Sequence, residues 1–149
     1  MKLKKWFTVP FMLAMILVSA QSVFAQDPYY TNPNGTVQTA RTLYLNQWKQ
    51  DQLSFNSEVD YFKVNLTNRD EFITVELKCP PAQNCKFTVF EYQHGAFYHL
   101  LDSSRVSSSG LRYSRRFRTI EDTFYIAVSG ADPWVDWSTQ SFYSLRVYH

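Results

Sequence analysis

Serine and histidine are the residues of this chain that could support nucleophilic catalysis, and their spacing does not favour it. The three histidines are His94 in a predicted turn, His99 on a predicted strand, and the terminal His149. A catalytic serine needs a neighbouring base and an acid that orients the base. No Gly-x-Ser-x-Gly or His-Glu-x-x-His framework occurs. The sequence therefore predicts a protein that is not an enzyme.

Oxygen ligands for a calcium ion occur in two segments that a fold could bring together. Asp27, Asn32 and Asn34 lie in an extended N-terminal segment, whereas Glu58 and Asp60 precede a predicted strand. Calcium is a hard cation that binds several carboxylate and amide oxygens at once. These residues are therefore a candidate calcium site, and calcium is the one cofactor that the sequence suggests. In the alternative interpretation, Asp60 caps a turn through its own backbone amides.

Two tryptophans lie in a polar loop that follows a predicted strand. Trp134 and Trp137 stand among Asp, Pro, Ser and Thr, at positions that strand alternation does not require for the core. An exposed tryptophan offers a large apolar area with little conformational entropy to lose, which suits stacking on a sugar ring, a proline or a peptide. We expect this pair to form the centre of a ligand-binding surface. The alternative is that one of the rings covers the open end of the fold as a lid.

Basic residues cluster in Leu111-Arg-Tyr-Ser-Arg-Arg-Phe-Arg118, a segment without any acid. If the segment is a strand, Arg112, Arg116 and Arg118 share one face. Such a face could attract an anionic wall polymer and assist the tryptophans if it lies near them. The alternative is an ordinary charged outer face, on which arginines also protect a sheet edge from pairing.

The first residues have the layout of a secretory signal peptide. Lysines at positions 2, 4 and 5 precede an apolar run, and Ala25 with Val23 suits the pockets of signal peptidase. The apolar run is shorter than the roughly 20 residues that span a bilayer. The sequence thus predicts a signal peptide over 1–25, a secreted product without a membrane span, an extended arm over 26–35 and one domain over 36–149.

The predicted mature chain is nearly neutral. Of the 15 basic and 13 acidic residues in the full sequence, three lysines and no acid lie in the signal peptide. The basic pI of the whole sequence therefore gives no reason to expect nucleic acid as a partner.

Both cysteines lie in the short segment Cys79-Pro-Pro-Ala-Gln-Asn-Cys85. An oxidising compartment favours their pairing. A redox role would call for a motif such as Cys-x-x-Cys, and a metal site would need more ligands than two cysteines and scattered histidines. We therefore predict a Cys79–Cys85 disulfide that clips a connection between two strands.

Alternating apolar and polar residues predict strands through most of the mature chain. The pattern is clearest over 61–66, 72–77, 123–128 and 142–147, and less regular strands are expected over 41–46, 51–55, 86–92, 96–102 and 111–119. Such spacing is typical of an all-β sandwich, here of eight or nine strands. The predicted shared core consists of Phe62, Val64, Ile73, Val75, Phe124, Ile126, Leu145 and Val147.

Several of these strands resemble the bacterial pre-peptidase C-terminal domain. Asp-Tyr-Phe-x-Val occurs at 60–64, and Phe-Tyr-Ile-Ala-Val-Ser-Gly at 124–130 is followed by Tyr-Ser-Leu-Arg-Val at 143–147. The resemblance covers about residues 34–148. It implies a jelly-roll-like β-sandwich of mostly antiparallel strands without catalytic machinery. Such domains are usually appended to secreted peptidases, and some of them bind calcium or collagen.

These features predict a secreted, non-catalytic β-sandwich that acts as a binding or accessory module at or beyond the cell surface. Its ligand would be an extracellular-matrix protein or a cell-wall or glycan polymer. The alternative is an accessory protein, chaperone-like or inhibitor-like, that docks on a separately encoded secreted peptidase. A fold of this kind hosts many activities, so the ligand must be inferred from a site.

Overall fold

The computed structural model describes residues 33–68, 71–81, 83–103, 112–138 and 140–149, with Arg112 described by its backbone alone. Residues Asn32–His149 form one compact unit. The predicted signal peptide and most of the predicted arm lie outside the described residues. Within the described residues there is no helix of the length and apolar character that crossing a membrane requires.

The described part of the chain is all-β, as predicted. Its nine strands are β1 (Arg41–Thr42), β2 (Trp48–Asp51), β3 (Val59–Asn65), β4 (Glu71–Lys78), β5 (Cys85–Gln93), β6 (Ala96–Asp102), β7 (Arg112–Thr119), β8 (Thr123–Gly130) and β9 (Tyr143–Tyr148).

The strands form two sheets that pack as a sandwich. The five-stranded sheet has the order β1-β3-β8-β5-β6, and the four-stranded sheet has the order β2-β9-β4-β7. Pairing is antiparallel except between β1 and β3, which are parallel. Most successive strands change sheet, as in a jelly roll. The predicted fold class is therefore confirmed.

The core lies between the sheets and follows from the alternation of each strand. In β8 and β9 every second side chain is buried, and the residues between them are only partly buried. All eight residues of the predicted core have an exposed fraction of 0%, which confirms the faces assigned from the sequence. The ring of Phe62 meets that of Tyr143 edge-on, with centroids 6.4 Å apart, and so joins the two sheets.

One predicted strand is wrong. The strand expected over 51–55 is replaced by β2, which ends at Asp51. The backbone amides of Ser54 and Phe55 both donate hydrogen bonds to the carboxylate of Glu58. These amides are therefore used in a turn and are not available for a sheet ladder.

The predicted disulfide between Cys79 and Cys85 is present. It joins the end of β4 to the start of β5 and is buried with the core. The disulfide marks one end of the sandwich, here called the disulfide end.

Candidate binding site

Aromatic rings occupy the outer face of the five-stranded sheet. Because Phe62 and Ile126 point into the core, their neighbours Tyr61 and Tyr125 point outward. The outer face of an antiparallel sheet is usually polar, so a cluster of rings there is unexpected. The outward cluster consists of Tyr61 from β3, Tyr125 from β8, Phe90 and Tyr92 from β5, and Phe97 from β6.

Phe90 is the centre of this cluster. Its ring stacks on Tyr125 with centroids 5.8 Å apart, and it meets Phe97 at 4.9 Å and Tyr61 at 6.1 Å in edge-on geometry. Only 5% of Phe90 is exposed, whereas 57% of Phe97 is exposed. Phe90 thus forms a floor, and Phe97 presents an open ring beside it.

The β5–β6 hairpin sets the position of the outermost rings. His94 and Gly95 have φ values of 51° and 81°, and two positive values in a two-residue loop are typical of a type I′ turn. A register irregularity between Val89 and Phe90 then pairs Phe90 with His99. This bulge places His99 on the outer face beside the floor.

A depression of about 300 Å³ lies within the cluster. Ala127 is directly opposite Tyr61 on one side and Thr88 on the other, so a methyl group stands between two larger side chains. The depression, here called the aromatic depression, is lined by Tyr61, Thr88, Phe90, Phe97, His99 and Ala127.

A carboxylate forms a polar rim at the edge of the aromatic depression. The Thr88 hydroxyl donates a hydrogen bond to Asp102 Oδ1 at 2.8 Å, and His99 Nε2 lies 3.0 Å from Asp102 Oδ2. The hydrogen bonds from Thr88 and His99 lower the pKa of Asp102 below its usual value. Asp102 therefore carries its charge at neutral pH and accepts hydrogen bonds at an exposed position.

A second depression continues from the first towards the disulfide end. It has a volume of about 270 Å³ and includes Tyr61 and Ser57 in its lining. The Ser57 amide donates a hydrogen bond of 2.9 Å to the carbonyl of Pro133. The two depressions share Tyr61 and lead to the segment that carries the tryptophans.

That segment, residues 131–138, is here called the Trp loop, and hydrogen bonds hold it in place. The buried carboxylate of Asp136 accepts bonds from the Asn84 amide at 2.9 Å and from the Asp132 amide at 2.8 Å. Asp132 in turn accepts a bond from the Trp134 amide at 3.0 Å. The bond from Asn84 thus fixes the loop to the start of β5, and the two bonds inside the loop fix its conformation.

The tryptophans of this loop face solvent. Trp134 is 70% exposed and Trp137 is 41% exposed, and Trp137 Nε1 donates a hydrogen bond of 3.2 Å to the Trp134 carbonyl. Neither ring belongs to the buried core cluster or to the partly buried side chains packed against it. Both rings remain candidates for ligand contact.

The predicted arginines lie on another face of the molecule. Arg116 and Arg118 pair with Thr74 and Phe72 of β4 in the four-stranded sheet. The backbone of Arg112 pairs with Lys78 near the disulfide end. The structure therefore does not join Arg116 and Arg118 with the Trp loop in one surface, since Arg118 lies about 20 Å along β7 from Arg112.

Three of the five predicted calcium ligands lie within the described residues. Asn34 is buried beside β3, where its carbonyl accepts a hydrogen bond of 2.8 Å from the Tyr61 amide. Glu58 and Asp60 flank the start of that strand, whereas Asp27 and Asn32 lie outside the described residues. Among the side chains that the structure describes, no three His, Cys, Asp or Glu residues are grouped as metal ligands.

The two carboxylates at this strand entry are already hydrogen-bonded. The Tyr143 hydroxyl donates a bond of 2.6 Å to Asp60 Oδ2, and burial raises the pKa of Asp60 to about 7. Burial also raises the pKa of Glu58, although two backbone amides oppose the shift. Glu58, rather than Asp60, is the residue that caps a turn through backbone amides.

Sequence reasoning missed the aromatic depression, although part of its signal was present. Tyr61 and Tyr125 occupy the outward parity of strands whose inward parity was predicted correctly. In β5 the signal is ambiguous, because Val89 and Phe90 are adjacent, apolar and both buried. An aromatic residue at an outward position was the feature that could have identified the site.

Comparison with solved structures finds proteins of similar fold. One is the pre-peptidase C-terminal domain of a collagenase from Bacillus anthracis, with 15% identity and a TM-score of 0.48, covering 72% of this chain and 93% of that chain. Another is CorA, a surface-associated copper-binding protein important in copper acquisition in Methylomicrobium album BG8, with 10% identity and a TM-score of 0.52, covering 72% of this chain and 97% of that chain.

A pre-peptidase C-terminal domain, the family that the sequence resembles, is thus among the structures similar to this chain. At such identities the likeness concerns the fold alone. No protein-family model matches the sequence, and no curated protein matches it.

Proposed function

We propose that the chain is a non-catalytic binding module of the cell surface or the extracellular space, and that it holds a neutral polysaccharide on the aromatic depression. The observation that supports this proposal is the cluster of outward rings on the five-stranded sheet, with Phe97 exposed beside the floor formed by Phe90. An apolar patch of this kind on a surface marks an interaction site.

The chemistry of the rim favours a sugar over a peptide. The apolar face of a sugar ring stacks on an aromatic ring, and its hydroxyls can donate hydrogen bonds to the charged carboxylate of Asp102. A proline-rich peptide also binds in aromatic grooves, but proline has no N–H to donate. Such a peptide offers mainly carbonyl acceptors, which a carboxylate cannot bind.

The arrangement of the two depressions favours a chain of several sugars. The Trp loop begins just after Gly130, three residues along β8 from Ala127, which corresponds to about 10 Å. The second depression lies between Tyr61 and the contact of Ser57 with Pro133. A polymer could therefore run from Phe97 across Tyr61 to Trp134.

A non-catalytic role agrees with the partners of the histidines. His99 bonds Asp102 and His149 bonds Glu71. Copper is not part of the proposal, because His99 and Asp102 are two potential ligands that already bond each other.

Binding of neutral hexasaccharides tests this function. We expect titration calorimetry with cello-, xylo-, manno- and chitohexaose to identify at least one ligand, and Phe97→Ala to weaken its binding by about tenfold or more, as for an aromatic hot spot. Tyr98→Ala is the matched control, because Tyr98 is also exposed but pairs with Glu91 on the other side of β6. Equal losses of affinity in both variants would refute the proposal. So would binding of a proline-rich peptide by a protein that binds none of the four hexasaccharides.

A further inference from the structure

The outer face of the four-stranded sheet, opposite the aromatic depression, is basic. Strand alternation places the following charged side chains outward on it: Lys78 and Glu76 from β4, Arg116 and Arg118 from β7, and Arg146 from β9. This set, here called the basic face, contains four cations and one carboxylate among the described residues. A nearly neutral chain thus has its positive charge concentrated on one surface.

Aromatic rings hold the arginines of the basic face in position. The guanidinium of Arg116 lies 4.5 Å from the centroid of the Phe72 ring, and that of Arg118 lies 5.9 Å from the same ring. Arg146 lies 4.7 Å from the Trp48 ring and 4.6 Å from the Tyr148 ring. Stacking of this kind orients a guanidinium before any ligand arrives, so less entropy is lost on binding.

The carboxylate of the basic face is hydrogen-bonded to one of its cations. Glu76 Oε2 accepts a hydrogen bond of 2.6 Å from Arg146 Nη2. No carboxylate of the described residues forms a salt bridge with Arg116 or Lys78. These two cations therefore leave the basic face with an uncompensated positive charge.

A shallow groove adjoins Lys78. Two depressions of about 450 Å³ and 340 Å³ share Gln50, Lys78 and Ser144 in their linings. Trp48 borders one of them and Phe142 borders the other. The groove thus combines a cation with an amide and a hydroxyl, which can bond to the hydroxyl groups of a ligand.

We infer that the basic face binds a polyanionic polysaccharide, one that carries sulfate or carboxylate groups, along the line from Lys78 to Arg116. These two residues lie four positions apart along the strands, which corresponds to about 13 Å. The inference is independent of the proposed function, because it uses a different sheet and a different ligand.

The stacked arginines of the basic face disfavour single-stranded nucleic acid as its ligand. Nucleic acid bound as a single strand needs aromatic faces on which its bases can stack, but on Phe72 and Trp48 a guanidinium already covers one face. A ligand with charged groups and many hydroxyls fits both the arginines and the polar groove.

Affinity for heparin and for polygalacturonate tests the inference and distinguishes sulfate from carboxylate. Replacing Arg116 by Gln should weaken binding of at least one polymer by about tenfold, the loss of one charge-assisted hydrogen bond, and should reduce the dependence of binding on salt. Arg115→Gln removes the same charge from the adjacent residue, which is exposed but pairs with Val75 on the other face of β7. We expect this control variant to bind within about twofold of the unmodified protein.

The inference is supported if Arg116→Gln and Lys78→Gln weaken binding of the anionic polysaccharide while Arg115→Gln and Phe97→Ala do not. Equal losses from Arg115→Gln and Arg116→Gln would show an effect of net charge alone and overturn the inference. Equal affinity for duplex DNA and for heparin at the same ionic strength would also overturn it, because the face would then recognise charge without sugar. Loss of neutral-sugar binding in Phe97→Ala, with heparin binding retained, would separate this surface from the aromatic depression.

Discussion

A buried acid in this fold has chemistry that depends strongly on its surroundings. Asp60 begins the motif by which the chain resembles a known family, and it lies buried at the entry of β3. Its partner is the hydroxyl of Tyr143, a residue of the opposite sheet. One hydrogen bond therefore connects the two layers of the sandwich at a place where the hydrophobic core ends.

The raised pKa of Asp60 predicts that stability falls as pH rises. Burial raises this pKa from 3.8 to about 7, so between these values the folded chain binds more protons than the unfolded chain. The contribution of Asp60 is complete below about pH 4 and is lost as pH rises through 7, and its size is on the order of a few kcal/mol. Denaturant unfolding at pH 5 and pH 8 measures the part of this loss that falls above pH 5.

Asp60→Asn is the variant that isolates this effect. An amide oxygen can still accept the Tyr143 hydroxyl, but the side chain no longer ionises. The variant should be more stable than the unmodified protein at pH 8 and should lose less stability between pH 5 and pH 8. Some decline will remain, because the pKa of Glu58 is also raised. An identical decline in both proteins would show that Asp60 does not ionise in this range.

Single strands show how far the sequence determines the fold. Period-two alternation identified β3, β4, β8 and β9 and all eight core positions, because burial of one face imposes that pattern directly. The hairpin turn at His94-Gly95 was also recognisable from its residues. The bulge that pairs Phe90 with His99 was not, since register depends on contacts with a neighbouring strand.

The dependence on strand pairing also explains which candidate sites could be predicted from the sequence. The tryptophans were selected because a polar loop made them conspicuous, and the structure shows them exposed. The aromatic depression arises from residues on four strands that adjoin only after pairing, so no local motif contains it. Likewise, the arginine face was visible as a pattern, whereas its distance from the Trp loop depended on the strand order.

The Trp loop depends on one close backbone approach. A Cβ atom on Gly130 would lie 2.7 Å from the carbonyl oxygen of Asp136, a distance that forces the loop to move. We predict that Gly130→Ala costs about 1–3 kcal/mol of stability, as overpacking does, and that it increases proteolysis within the loop. The control is Ser129→Ala, at the adjacent partly exposed position, which adds no atom. Unchanged stability and proteolysis in Gly130→Ala would mean that the loop can shift freely.

At the scale of the whole molecule, the two sheets present different chemistry on opposite sides. One outer face carries uncharged rings with an acid at the rim, and the other carries arginines held by rings. The sheets of a sandwich pack about 10 Å apart, so a ligand on one face does not reach the other. This separation favours a module that joins two kinds of polymer, a proposal that follows from the two binding proposals together.

We predict that the protein links the two polymers. When the neutral polysaccharide found by calorimetry is immobilised, fluorescent heparin should be retained on it only in the presence of the protein. Phe97→Ala and Arg116→Gln should each strongly reduce this retention for different reasons, whereas Tyr98→Ala and Arg115→Gln should preserve it. Because the two faces share no residue, the free energies of binding should add, and saturating soluble heparin should leave the affinity for the neutral sugar unchanged. Competition between the two ligands in solution would instead place them on one surface and would rule out a bridging module.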